Sequence, residues 1–175
     1  MKIIGISGKM QNGKDTFAEA LKAEIHFKGE QAIVFHFADF LKYICSEYFG
    51  WDGKKDATGR KLLQTIGTSV FRKNNPTCWT DMAYAFIKGL GDVVDYVIIA
   101  DVRFKQEANW IRDNFENSAI IRVNRPGYDS GATEEAKRHI SEVDLDDYKF
   151  DEVFLNEGTL EEYKEKAKAY YEKIK

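Results

Sequence analysis

A chain of 175 residues with 43% hydrophobic content is one domain's worth of sequence and holds enough apolar material for a real core. A formal net charge of -3 excludes a surface that coats a nucleic-acid polymer, so any anion site must be a local cluster of basic residues. Cys45 and Cys78 lack the short spacing of a metal site and read as reduced thiols. With no leader-type stretch and no apolar run long enough to span a bilayer, a cytoplasmic protein without a membrane partner is expected.

The first predicted element is a strand over residues 2–7, followed at once by Gly8-Lys9-Met10-Gln11-Asn12-Gly13-Lys14-Asp15-Thr16. Four residues separate the two glycines and a lysine comes next. That spacing lets successive backbone N–H groups curl around a phosphate while the lysine reaches the outer phosphates. Phe17, Ala18, Leu21 and Ile25 then recur at helical spacing, and the helix they predict points its N-terminal dipole at the same anion. An ordinary glycine turn between a strand and a helix would leave Lys9 and Lys14 without a purpose. Asp15 stands where Ser or Thr usually holds magnesium, with Thr16 one residue later.

Four further runs, 32–37, 96–101, 119–123 and 151–155, are rich in Val, Ile and Phe with little alternation, as strands buried on both faces are. Helical segments between them predict right-handed crossovers and a five-stranded parallel sheet in a three-layer α/β fold. Pro76 and Pro126 are the only prolines, and no repeat or linker marks a second domain. A single domain over 1–175 is expected, with core segments 1–37, 76–123 and 150–175.

Asp39 follows the second strand at the carboxyl edge, where open α/β sheets bind ligands; it is a site candidate that could also cap a helix over residues 40–49. The excursion 38–75 contains a helical segment from Thr58 to about Arg72. It is longer than a crossover needs and reads as a substrate-binding insertion. The third strand ends in Asp101-Val102-Arg103. Asp101 resembles a Walker B aspartate, or else caps the helix that carries Glu107, Ala108 and Ile111. Arg103 offers a bidentate partner to phosphate, or pairs with Asp101. Residues 124–149, with Arg125, Arg138 and His139, read as a lid that excludes water from phosphoryl transfer, although His139 and its basic neighbours also suit a solvated face. Asn156 to Thr159 could flank a nucleobase ahead of a last helix with Leu160, Tyr163, Ala167, Tyr170 and Ile174 along one side.

Together these segments resemble the phage-type deoxynucleoside monophosphate kinases, a branch of the P-loop nucleotide kinases. The resemblance is carried by Gly13-Lys14-Asp15-Thr16, Phe37-Ala38-Asp39 with Leu41-Lys42, Arg60 with Leu63-Gln64 and Gly67-Thr68, Arg72, and Trp79. It continues through Asp101-Val102-Arg103-Phe104 with Glu107-Ala108, His139 with Ser141-Glu142, and Asn156, and so spans most of the chain. Phe40 and Lys105 stand where that family has proline.

The resemblance implies a P-loop kinase fold with a helical acceptor-binding insertion and a lid. It also implies transfer of the γ-phosphoryl group of ATP to a deoxynucleoside monophosphate with Mg2+. Asp15 becomes a family mark, with magnesium held through water near Asp15, Thr16 and Asp101. Gly8, Lys9, Asn12, Gly13, Lys14, Asp15, Thr16 and Asn156 fall to ATP. Asp39, Lys42, Arg60, Gln64, Arg72, Trp79 and Arg103 fall to the acceptor. Lys14, Arg103, Asp101 and Asp39 serve the chemistry, and Arg125, Arg138 and His139 close from the lid. A homodimer is a family-level expectation, as is the host cytoplasm for a phage-encoded enzyme. Two other readings stay open, a kinase of another small acceptor such as dephospho-coenzyme A and a non-catalytic nucleotide-binding regulatory module. The module lacks a guanine-reading Asn-Lys-x-Asp segment and leaves the arginine-rich second site unused.

Overall fold

Burial of the apolar runs on both faces builds the centre of the sheet, whereas the last run, expected to be buried in the same way, lies at an edge and leaves Val153 and Leu155 exposed. The computed structural model describes every residue from 1 to 175 except Ala136. Strands β1 (Lys2–Ser7), β2 (Ala32–Phe35), β3 (Tyr96–Val102), β4 (Ser118–Asn124) and β5 (Glu152–Leu155) pair in parallel in the order β2-β3-β1-β4-β5. All five predicted strands are present and the α/β fold is as expected. β2 stops two residues early because His36 and Phe37 begin the next helix.

Successive strand residues point to opposite faces, which sets the layers. Ile4, Ile6, Ile98, Ala100, Ile121 and Val123 form one buried cluster with residues of helices α1 (Lys14–Phe27) and α8 (Leu160–Ile174), among them Phe17, Leu21, Tyr163 and Tyr170. On the other face, a Cβ added to Gly5 would lie 2.9 Å from Ile111 Cδ1 of helix α5 (Lys105–Asn114). Glycine is therefore what allows α5 to sit directly on β1. Among the described residues, no helix is long and apolar enough to cross a membrane.

The chain divides into two compact units, residues 1–35 with 92–175, which carry the sheet, and residues 36–91. The second is helical, with α2 (Phe37–Phe49), α3 (Ala57–Gln64), a π-helical stretch over Thr65–Arg72 and α4 (Cys78–Leu90). The expected helix from Thr58 to about Arg72 thus changes pitch halfway, a rare geometry that recurs at functional sites. Close packing accompanies it, since a Cβ on Gly67 would meet Leu41 Cδ2 at 2.7 Å. Between β4 and β5, two short helices, α6 (Glu134–Lys137) and α7 (Ile140–Val143), interrupt an irregular segment.

Candidate active site

β1 lies between β3 and β4, so the chain passes to either side of its carboxyl end, the place where open α/β sheets bind ligands. The loop that leaves it is held in an unusual backbone shape, with positive φ at Gly8 (154°), Gln11 (59°) and Gly13 (94°). Neighbouring strands and α8 clamp it from behind. Asn156 Nδ2 donates to Asn12 O at 2.9 Å, Tyr163 Oη to Gly13 O at 3.1 Å, and Asn12 Nδ2 to Val123 O at 3.4 Å. The Asn156 amide therefore spends a donor on the loop itself.

Lys14 opens α1 and folds back over the loop, its Nζ donating to Gly8 O at 2.8 Å and Lys9 O at 3.0 Å. Only 7% exposed, it has its pKa lowered from 10.5 to about 8. Burial is the main cause and Arg103 pushes the same way, while Glu142, Asp15 and Asp101 oppose it. An ammonium that is costly to keep charged gains by taking up an anion. The structure thus gathers Lys14, Asp15, Asp101 and Arg103, which the sequence offers from three separate segments.

At the start of α5, the Arg103 and Phe104 N–H groups donate to Glu107 Oε2 at 2.9 and 3.2 Å. The buried Glu107 therefore caps that helix. Arg103 sends its guanidinium to Glu142.

A cavity of about 410 Å³ opens beside the loop, a size suited to a small ligand. Lys9, Met10, Asn12 and Glu142 line one part of it, and Arg125, Tyr128 and Lys137 another. The Arg125 guanidinium lies 4.1 Å from the centre of the Tyr128 ring, and Tyr128 Oη donates to Gln11 Oε1 at 2.7 Å. His139 is the N-cap of α7, its Nδ1 accepting from Ser141 N at 3.3 Å. Arg138 is exposed, and its neighbour Lys137 is the residue at the cavity wall.

The sequence reading gave no role to Arg122, Asp146 or Glu142. Arg122, a charge inside an apolar strand, is buried and donates to Asn124 Oδ1 at 3.0 Å, Leu145 O at 2.8 Å and Asp146 Oδ1 at 2.6 Å. Asp146 also pairs with Lys9 of the loop at 3.1 Å. Burial pushes the Asp146 carboxyl up, but Arg122 and Lys9 outweigh it and hold it below its ordinary value. A basic residue within a buried strand was the available signal, because such a charge needs a partner. Arg122→Ala should cost about 1–3 kcal/mol, below the value for a fully buried pair because Asp146 is partly exposed. Urea unfolding would measure the loss, and amide exchange should show residues 144–147 losing protection. An unchanged midpoint would remove Arg122 as the anchor of that segment.

In the 36–91 unit, Asp39 sits in the first turn of α2, which begins at Phe37 and not at Phe40. Its Oδ2 accepts from His36 N at 2.9 Å and its Oδ1 from Lys42 Nζ at 2.6 Å. Burial raises its pKa, but these bonds prevail and hold it below the usual carboxylate value. The capping role open to Asp39 is thus real, exercised from inside the helix. Arg60 donates from Nε to Lys55 O at 2.8 Å, Gln64 ends α3, and Arg72 ends the π-helical stretch. Trp79 is 5% exposed and stacks on Phe71 with ring centres 5.1 Å apart, its Nε1 donating to Gly67 O at 3.4 Å.

Comparison with known proteins bears on this arrangement. The deoxynucleotide monophosphate kinase family matches residues 38–167. The "Putative deoxynucleotide monophosphate kinase" of Acanthamoeba polyphaga mimivirus is 31% identical over 191 aligned positions, covering 93% of this chain and 92% of its own length. Among solved structures, a dephospho-CoA kinase from Campylobacter jejuni superposes with a TM-score of 0.59 at 13% identity, over 99% of this chain and 97% of that one. An APS kinase from Mycobacterium tuberculosis gives a TM-score of 0.53 at 11% identity, over 98% and 96%. At such identities the two structures speak for the P-loop kinase fold alone, whereas the sequence matches go further. The chain is a nucleotide kinase and belongs to the deoxynucleotide monophosphate kinase family.

Proposed function

We propose that this chain transfers the γ-phosphoryl group of ATP to the 5′-phosphate of a deoxynucleoside monophosphate, giving the deoxynucleoside diphosphate and ADP. The observation that carries this is the buried Lys14 on its phosphate-type loop, electrostatically coupled to Arg103, Asp15 and Asp101, in a chain of this family. An oxygen of the acceptor phosphate attacks the γ-phosphorus. The new P–O bond forms as the bond to the β–γ bridging oxygen breaks, and that electron pair leaves with ADP. The attacking oxygen is already anionic, so no strong base is needed and the protein contributes positioning and charge neutralisation.

Lys14 and the loop N–H groups hold the ATP phosphates, with Gly8, Lys9, Asn12, Gly13, Thr16 and Asn156 shaping that cradle. Arg103 steadies the group in transfer. Asp39, Lys42, Arg60, Gln64, Arg72 and Trp79 serve the acceptor and its base, and the segment 124–149, with Arg125, Arg138 and His139, covers the reacting groups. Mg2+ in such reactions takes one or two carboxylates plus phosphate oxygens and water. Asp101 at the end of β3 and Asp15 and Thr16 at the start of α1 are oxygen donors of that kind, and no group of three acidic, histidine or cysteine side chains forms a cage among the described residues. The donor set fits an ion carried by the nucleotide, whose chemistry would be to neutralise phosphate charge. Homodimer formation and a cytoplasmic setting belong to the same proposal.

The deciding experiment offers ATP and magnesium with each of the deoxynucleoside monophosphates and, separately, with dephospho-coenzyme A. Diphosphate formation with at least one deoxynucleotide is the expected result. Phosphorylation of dephospho-coenzyme A alone, or nucleotide binding without transfer to any acceptor, would refute the assignment.

A further inference from the structure

Glu142 was given no part in the phosphoryl-transfer chemistry above, yet it lines the cavity together with Lys9, Met10 and Asn12 of the phosphate-type loop. Its Oε2 accepts from Met10 N, inside the phosphate-type loop, at 2.7 Å. Its Oε1 pairs with the Arg103 guanidinium, and the side chain is only 6% exposed. The same carboxylate opposes the loss of charge on Lys14. A loop N–H, a guanidinium and a nearby ammonium are the donor set that a phosphate group recruits.

We propose that Glu142 is an internal, displaceable occupant of the phosphate cradle, a carboxylate that competes with the nucleotide's phosphate for the Met10 N–H and for Arg103. This rests on the nucleotide-kinase reading above and adds a residue that sets how tightly the loop takes a phosphate. One N–H points at one acceptor, and two anions held side by side on the same donors repel, so phosphate and carboxylate exclude each other. The carboxylate also offsets the cost of burying Lys14 and Arg103 close together.

The surroundings indicate how the exchange proceeds. Just after Glu142, the segment is tied to its surroundings through one side chain and one carbonyl: the Asp144 carboxylate accepts from Lys105 N at 2.7 Å, and Leu145 O accepts from Arg122 Nη1 at 2.8 Å. Just before it, His139 and Ile140 are exposed. Residues 144–145 therefore stay in place while the Glu142 side chain swings out with the exposed start of α7. Arg103, released from the carboxylate, is then available to the incoming phosphate.

Calorimetric titration of the full chain with inorganic tripolyphosphate and with ATP tests this at about pH 6.5, where Lys14, with a value of about 8, is charged. Glu142→Gln keeps the shape and removes the charge; Glu142→Ala also removes the acceptor. Both should bind the two ligands about tenfold or more tightly than the wild type. Unchanged or weaker binding by the folded variants, checked by thermal melting, overturns the inference, because a merely structural Glu142 gives no gain in affinity. If Glu142→Ala does not fold, the isosteric Glu142→Gln decides alone. A wild type that phosphorylates a deoxynucleotide while the variants gain nothing refutes only the role of Glu142. No binding of either ligand by any of the proteins refutes the kinase reading as well.

Discussion

Replacing Lys14 with methionine is expected to lower turnover by about 10²–10³-fold and, at neutral pH, to raise the stability of the free protein. The two effects have one origin. Lys14 is buried and its pKa falls from 10.5 to about 8, so between those values the folded chain binds fewer protons there than the unfolded chain. Stability therefore rises with pH through that window, and below about pH 8 the full cost of burying the ammonium is present. Methionine removes that cost, on the order of 3 kcal/mol before the lost hydrogen bonds to the Gly8 and Lys9 carbonyls are counted. Nucleotide phosphates reverse the balance by stabilising the charged form. Near pH 8.5, a value chosen about half a unit above the Lys14 pKa, ATP binding should thus take up a proton, visible as a binding enthalpy that depends on the buffer. Turnover assays, thermal melting and calorimetry in two buffers check these points. Unchanged turnover in Lys14→Met would remove the lysine from the chemistry, and a lower melting temperature would contradict the electrostatic account of its burial.

Gly13→Ala is expected to weaken ATP binding by about 10²-fold or more, with little change at the acceptor side. Gly13 has φ 94°, and a Cβ there would lie 2.5 Å from Asn156 Nδ2. Backbone strain of about 1–2 kcal/mol adds to about 1–3 kcal/mol of overpacking, and both fall on the loop that must close on phosphate. The double variant Gly13→Ala with Asn156→Ala separates the two contributions. Removing the Asn156 side chain relieves the clash but not the strain, so it should restore about tenfold of the lost affinity, read as Kd for ATP by calorimetry. Full recovery would show that the left-handed backbone is dispensable; no recovery would show that Asn156 is not what crowds the loop.

Much of this protein is decided locally, and local decisions are visible in a linear sequence. The five strands, the glycine loop after β1 and the helix carrying Phe17, Leu21 and Ile25 follow from patterning over a few residues, where periodicity and backbone sterics act. Element boundaries were harder to read, as at α2, which starts at Phe37 because His36 and Asp39 together form its first turn. The pitch change over Thr65–Arg72 was hidden too, since it goes with the close approach of Gly67 to Leu41 and with the Trp79 hydrogen bond.

What only the tertiary structure decided are the pairings between distant residues: Asn156 with Asn12, Arg122 with Asp146, and Glu142 with Met10 and Arg103. A charged side chain in a sequence has many partners open to it, and the choice among them is made by desolvation, which acts only once the sheet has brought the strand ends together. The phosphate-type loop was therefore written in the sequence alone, whereas the carboxylate lying against it was settled by the fold.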